Sequence, residues 1–228
     1  MTSLSIITPA YNEEEIIIAS VKQTFESCKH QFDEIEYIVV NDGSTDNTEK
    51  LIVQEFQGNS IFKLINKSNG GFGSAVREGL KHCTKDFVIC VPADSPLDPE
   101  TIKKIYPDIQ KNQVDLIITY RKERKGYSSV MLMNSFIYHK LVSALFLIWF
   151  KDYNWIHIYR KDIFNDIQIQ SSGIFMLAEV IIKARKRGFI IKEIEVEQKQ
   201  RVTGDATMTK PNAIFKTFKE MLEFRMSM

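Results

Sequence analysis

Apolar runs and polar turns alternate through the first hundred residues with a spacing that predicts strands and helices in turn. Leu4-Ser5-Ile6-Ile7-Thr8-Pro9 reads as a short buried strand stopped by proline. Ala10-Tyr11-Asn12-Glu13 is a loop, and from about Glu14 the positions Ile16, Ile17, Val21 and Phe25 recur at helical spacing behind an acidic first turn. Glu36 to Val40 is a second strand, Thr45 to Phe56 a second helix, and Ile61 to Ile65 a third strand. A polar, glycine-rich stretch, Asn66 to Gly73, then enters a helix that runs to about His82, and Phe87 to Val91 is a fourth apolar strand closed by Pro92-Ala93-Asp94. Strand–helix alternation at this spacing predicts an α/β fold: a doubly wound, mostly parallel sheet with helices on both faces.

The second half is less regular. Pro99 to Asn112 reads as a helix, Val114 to Thr119 as a strand, Arg121 to Tyr127 as a charged loop and Met131 to Trp149 as a long helix. Gly173 to Arg187 is another helix, Phe189 to Val196 one or two short strands, Arg201 to Pro211 a polar loop, and Asn212 to Met226 a final amphipathic helix. No internal repeat or long linker interrupts the chain. The simplest organisation is one domain over residues 1–211, with the helix of residues 212–228 packed on it or placed at an interface.

Composition narrows the function classes. With 228 residues the chain suits one large domain. A net charge of +1 supplies no global field to recruit nucleic acid or a membrane. The basic stretch Lys183, Arg185, Lys186, Arg187 reads as a solvated helix face. Three cysteines without CxxC spacing read as reduced, packed thiols, and four scattered histidines form no metal-binding spacing. The chain starts on a strand, not on a basic-then-apolar leader, so a cytoplasmic location is expected. Its longest apolar run, Leu141 to Phe150, is about half of what a spanning helix needs.

The chemistry gathers where strands end. Ile38-Val39-Val40 runs into Asn41-Asp42-Gly43-Ser44, which places a carboxylate at a strand's carboxyl end, where open α/β sheets bind ligands. Taken alone, Asp42 serves equally well as a helix cap. Three further segments accompany it: Thr8-Pro9-Ala10-Tyr11-Asn12-Glu13 after the first strand, Asn69-x-Gly71-x-Gly73-x-Ala75-x-x-x-Gly79 opening the third helix, and Pro92-Ala93-Asp94 after the fourth strand. Gly71 and Gly73 suit close backbone approach to a ligand, whereas Ala75 and Gly79 suit tight packing of the helix on the sheet. A phosphate-binding P-loop is excluded, because no Gly-Lys-Ser/Thr follows.

In order and spacing these segments resemble family 2 glycosyltransferases of the GT-A fold, and within them the dolichol-phosphate mannosyltransferase and polyprenyl-phosphate glycosyltransferase branch. The resemblance implies an inverting transfer of a sugar from a UDP- or GDP-linked donor, with a polyprenyl phosphate as one acceptor class and a soluble glycan hydroxyl as another. It carries a nucleoside-binding role to Pro9, Tyr11, Glu13 and Asp42, adds Gly71 from the glycine loop, and places Arg121 and Arg201 near the phosphates. It makes Asp94 the ligand of a Mg²⁺ or Mn²⁺ ion. Glu179, which keeps the family's distance from Gly173, is the one candidate base for a hydroxyl acceptor; pairing with Lys183 at i+4 is its alternative.

The departures are specific. Pro92 replaces the first carboxylate of the family's Asp-x-Asp motif, and Asn41 stands where many members have aspartate. Cations that the branch uses on the acceptor side appear here as Met131, Ile156-His157 and Ala206-Thr207. These losses motivate a non-catalytic nucleotide-sugar-binding module as the rival. For the apolar segments Leu132 to Phe150 and Ile214 to Leu222, core packing and an oligomer contact respectively are favoured over contact with a bilayer surface.

Overall fold

The computed structural model describes residues 1–124, 126–197 and 211–228. Its elements are, in chain order, β1 (Ser3–Ala10), α1 (Ile17–Cys28), β2 (Glu34–Asn41), α2 (Thr48–Phe56), β3 (Phe62–Asn66), α3 (Phe72–Leu80), β4 (Phe87–Cys90), α4 (Pro99–Gln110), β5 (Leu116–Arg121), α5 (Ser129–Phe146), β6 (His157–Arg160), α6 (Ile163–Asp166), α7 (Phe175–Lys186), β7 (Ile191–Val196) and α8 (Pro211–Met226). Among the described residues the strands form one sheet in the order β3-β2-β1-β4-β6-β5-β7. All neighbours are parallel except at β6, which runs antiparallel to both β4 and β5.

Burial follows from that topology. β1 and β4 lie inside the sheet with helices on both faces, so their residues are buried on both sides. Side chains alternate across the sheet: Ile6 joins a core with Ile17, Val21, Ile102 and Ile105 from α1 and α4, and Ile7 joins Ala75 of α3 on the other face. Gly79 sits where a Cβ would come within 2.7 Å of Ile7, so its smallness lets α3 lie flat on the sheet. The third core belongs to the second half of the chain and joins β5 and β6 to α5, α7 and α8 through Val142, Phe146, Phe175, Ile181, Met221 and Phe224.

Several element boundaries differ from the sequence expectation for local reasons. α1 starts at Ile17 and α2 at Thr48, because the residues before them are tied to each other. Asn12 donates its amide to Ser44 and accepts from Thr45 NH, Glu13 NH donates to Thr48 Oγ1, and Glu14 exchanges hydrogen bonds with Asp46 and Asn47. α5 ends at Phe146, where Leu147 turns into the left-handed region at φ 54°. β6 and α6 were not expected at all. The expected polar loop from Arg201 lies outside the described residues.

Candidate active site

The parallel strands bring the carboxyl ends of β1, β2, β4 and β5 to one edge of the sheet. Because β6 runs the other way, the segment that precedes it, Asp152 to Ile156, arrives at that same edge. Residues from both halves of the chain therefore meet there.

On the β1–β2 side, the loop residues 10–14 and 41–48 are zipped together as described above, and Asp42 NH donates to Ala10 O at 2.8 Å. Asn41 uses both ends of its carboxamide: Oδ1 accepts from Ser44 NH at 3.0 Å, and Nδ2 donates to Asn66 at 3.0 Å, a bond that aspartate could not make. Asp42 is buried, and its two oxygens take Lys67 Nζ at 2.6 Å, Gly70 NH at 3.0 Å and Gly71 NH at 2.8 Å. Gly43, at φ 76°, passes so close to Asn69 that a Cβ would stand 2.7 Å from its nitrogen. Asp42 thus pins the glycine loop against the end of β2. Tyr11 stands at the rim with its ring 48% exposed, beside half-buried Pro9 and Glu13.

On the β4–β5 side lies a cavity of about 280 Å³. Its lining includes Asp94, Ser95, Arg121 and Tyr127 together with apolar Met131, Ile137, Leu141, Ile214, Phe218 and Met221 from α5 and α8. Asp42 is not among its lining residues. The two carboxylates therefore belong to two neighbouring features, a rim around the glycine loop and a cavity at Asp94, with Phe72 at the start of α3 lining the latter.

Asp94 is half-buried on the turn after β4, where Ser95 NH bonds Pro92 O at 3.1 Å. Among the described residues no three His, Cys, Asp or Glu side chains gather as a metal cage. One carboxylate fits a hard divalent cation only when waters and substrate phosphate oxygens complete its shell, which is the usual arrangement for Mg²⁺ on phosphates. The donor set here is of that kind.

Arg121 closes β5 inside a buried polar cluster. Its Nε donates to Asp152 at 2.7 Å, its NH1 donates to Tyr127 Oη at 2.6 Å, and its guanidinium lies 4.5 Å from the ring centre of Trp155. Arg124 and His139 approach the same carboxylate at 3.6 and 3.4 Å. Burial alone would raise the Asp152 carboxyl; the hydrogen bond from His139 and the two guanidiniums overcome it and hold the group well below the usual carboxylate range.

Glu179 is corrected. It is fully buried, accepts from Gln170 NH and Ser171 NH at 2.8 Å each, and pairs with Lys183. With every oxygen engaged and no opening to the cavity, it anchors the segment before α7 and does not serve as a base. Arg201 lies outside the described residues. The sequence does not mark Asp152, Tyr127 or Trp155 as site residues: Asp152 and Trp155 stand just before Ile156 to Tyr159, and Tyr127 ends the charged loop that follows Arg121.

His157, at the start of β6, adds a pH dependence. Burial pushes its imidazole down to about 4, and Nε2 meets Tyr153 O at 3.3 Å. The folded protein keeps it neutral, whereas the unfolded chain takes up a proton below about 6.5. Its contribution is therefore full above pH 6.5 and is lost as pH falls toward 4. We expect His157→Gln to flatten the fall in unfolding free energy between pH 7 and 4.5 by about 2–3 kcal/mol relative to wild type, read by urea titration.

Comparison with known proteins bears on the family and the fold. The family model described as glycosyl transferase family 2 matches residues 5–177. Undecaprenyl-phosphate 4-deoxy-4-formamido-L-arabinose transferase of Proteus mirabilis (strain HI4320) is 32% identical over 127 residues, which is 55% of this chain and 39% of that protein. The chain thus matches well under half the length of that relative. Glucosyl-3-phosphoglycerate synthase from Mycobacterium tuberculosis, solved with Mn²⁺, UDP and glucosyl-3-phosphoglycerate, superposes with a TM-score of 0.74 at 18% identity, covering 98% of this chain and 80% of that one. The same synthase with Mn²⁺, UDP-glucose and phosphoglyceric acid gives 0.73 at 17%, covering 98% and 79%. At such identity the likeness is one of fold.

Proposed function

The chain belongs to glycosyl transferase family 2 and has the GT-A fold of its structural neighbours, and on that premise we propose that it moves a sugar, with inversion, from a UDP-linked donor to a polyprenyl phosphate at a membrane surface. The observation that carries this reading is the mixed lining of the cavity, which joins Asp94 and Arg121 to an apolar set from α5 and α8. An acceptor with an anionic head and a hydrocarbon tail matches it, and a soluble glycan would leave the apolar set unused. The Proteus relative is named for an undecaprenyl-phosphate substrate and the mycobacterial neighbour was solved with UDP, which supports each half of the proposal.

In this reading Tyr11, Pro9 and Glu13 flank the nucleoside, while Asp42 acts through Gly70 and Gly71, whose position it sets. Asp94 would hold Mg²⁺ or Mn²⁺ together with the donor diphosphate. A cation there offsets the charge that develops on the leaving diphosphate. Arg121 offers fixed positive charge in the lining of the cavity, already oriented by Asp152. The acceptor's phosphate oxygen attacks the anomeric carbon from the face opposite the diphosphate, and the bond to the diphosphate oxygen breaks. The attacking acceptor oxygen is already ionised at neutral pH, so no base is required, which accords with a site whose one proposed base is buried elsewhere.

The outer surface supports membrane contact. No helix among the described residues is long and apolar enough to cross a bilayer. Val130, Met133, Phe136 and Ile137 of α5 and Ile214, Phe215, Phe218 and Leu222 of α8 are nevertheless exposed. Each set follows helical spacing as one stripe, and the two stripes border the cavity, as expected of helices that rest in an interface at the cytoplasmic face.

The test is nucleotide release in Mn²⁺ from a panel of UDP and GDP sugars, with vesicles containing or lacking polyprenyl phosphate. We expect release from one UDP sugar to rise at least about tenfold when the lipid phosphate is present, because an acceptor held in place reacts faster than water does. Release that ignores the lipid but responds to a soluble glycan would overturn the acceptor assignment. Nucleotide binding without turnover on any acceptor would favour the non-catalytic module that Pro92 motivated.

A further inference from the structure

The turn Ser171–Gly173, just before α7, joins the last helix to the glycine loop. From α8, Glu220 Oε1 accepts Ser172 NH at 3.1 Å, Gly173 NH at 2.9 Å and the Ser172 hydroxyl at 2.8 Å. From the other side, Ser172 O accepts Gly73 NH at 2.8 Å. The two backbones touch: a Cβ on Gly73 would stand 2.5 Å from Ser171 O, and one on Gly71 2.9 Å from Ser172 O. Gly70 and Gly71 in turn donate to Asp42. A continuous run of hydrogen bonds and backbone contacts therefore leads from Glu220 through the turn and the glycine loop to the end of β2.

The rest of the turn is secured independently. Glu179 takes the amides of Gln170 and Ser171, and Arg77 NH1 donates to the carbonyls of Gln170 and Ser171. Those contacts come from α7 and α3 and would hold the segment on the core without α8. What Glu220 adds is a charge-assisted clamp on the two residues that carry the contact to Gly73, at the point where the chain meets the loop. One turn before Glu220, Lys216 Nζ reaches to within 3.4 Å of the Gly71 Cβ position, so the same face of α8 lies over that loop. Thr217, Phe218 and Met221 of the same helix line the cavity.

We propose that Glu220 is a positioning residue for the donor: α8 sets the place of Ser172 and Gly173 through this carboxylate, and they set the place of the Gly70–Gly73 loop. The proposal rests on the reading of that loop as part of the nucleotide site. One helix then borders both substrates, so displacement of α8 by an occupant of the cavity is felt at the loop, and by linkage the two ligands alter one another's affinity equally.

The full chain is compared with Glu220→Ala, Glu220→Asp and Glu220→Gln, using UDP with Mn²⁺ as the probe in titration calorimetry. Loss of a charge-assisted bond of this kind corresponds to about a tenfold rise in the UDP dissociation constant for the Ala and Asp variants, one lacking the carboxylate and the other too short to reach both amides. The Gln variant keeps an accepting oxygen on the same stem and is expected to bind within about threefold of wild type. In turnover, the Ala and Asp variants should raise the donor KM more than they lower kcat. Amide deuterium exchange supplies a readout that needs no ligand: Gly71 and Gly73 should exchange faster in the Ala and Asp variants and as in wild type in the Gln variant. Should the Ala variant fail to fold, the Asp variant decides. UDP affinity unchanged in both variants, or faster exchange at Gly173 with none at Gly73, would overturn the proposal. If wild type binds no nucleotide, the functional reading fails, and exchange at Gly73 still judges the positioning role.

Discussion

Asp94→Asn is expected to lower turnover by at least about 100-fold at saturating donor, with little change in stability, if one carboxylate anchors the charge-neutralising cation. The substitution keeps the shape of the side chain and removes its charge. Hard divalent cations bind carboxylate oxygen far better than amide oxygen when no second carboxylate shares the load. Here Pro92 stands at the first position of the motif, and among the described residues no group of three or more His, Cys, Asp or Glu side chains gathers as a metal cluster. The variant should therefore lose more than one in a site with two carboxylates, and raising Mn²⁺ should recover part of the rate. Asp94 is only half-buried, on a turn that leads into the α4 cap formed by Asp98 and Pro99, so the fold has little reason to respond. Thermal unfolding checks that, and nucleotide release at several Mn²⁺ concentrations checks the rest. Turnover equal to wild type across the Mn²⁺ range would remove Asp94 from the mechanism.

Asp94 is one of the residues that the sequence makes readable, and the reason is physical. Asp42, Asp94 and Arg121 each follow an apolar run that ends in a turn, and in a parallel sheet every such end faces the same way. Local patterning then suffices to bring them to one edge. β6 carries no such pattern: it has four residues, three of them buried, and owes its place to pairing on both sides with strands far away in sequence. Its antiparallel direction is what delivers Asp152 and Trp155, so missing the strand meant missing the partners of Arg121. Glu179 misleads, and Glu220 goes unmarked, for a related reason. A helical carboxylate looks the same in sequence whether it faces water, a ligand or the backbone amides of a distant turn. The i+4 pairing of Glu179 with Lys183 was legible; its two amide partners were not. α8 is a further case. Its apolar stripe is plain in the sequence, and only the tertiary packing divides it into Met221 and Phe224 turned inward and Phe215, Phe218 and Leu222 left at the surface.

Arg121→Met is expected to cost about 3–5 kcal/mol of stability, because it strands a carboxylate in the interior. The two side chains are 3% and 2% exposed, and the Arg121 bond to Asp152 is the shortest that carboxylate makes to a cation. Arg124 and His139 remain nearby at 3.6 and 3.4 Å, which places the expected loss toward the lower end of that range. Methionine roughly fills the volume beside Trp155 and Tyr127, so most of the loss is electrostatic rather than a cavity. Adding Asp152→Asn removes the stranded charge, and the double variant should regain much of the stability, as read by urea unfolding at pH 7. Turnover separates structure from function. If the guanidinium serves only to satisfy Asp152, the double variant recovers activity together with stability. If it also meets substrate phosphate in the cavity, the double variant folds and still turns over poorly, with the rate deficit concentrated in kcat/KM for the acceptor. The second outcome is the expected one. Full recovery of turnover in the stable double variant would confine Arg121 to holding β5 against the loop before β6, and the phosphate would then need another cation.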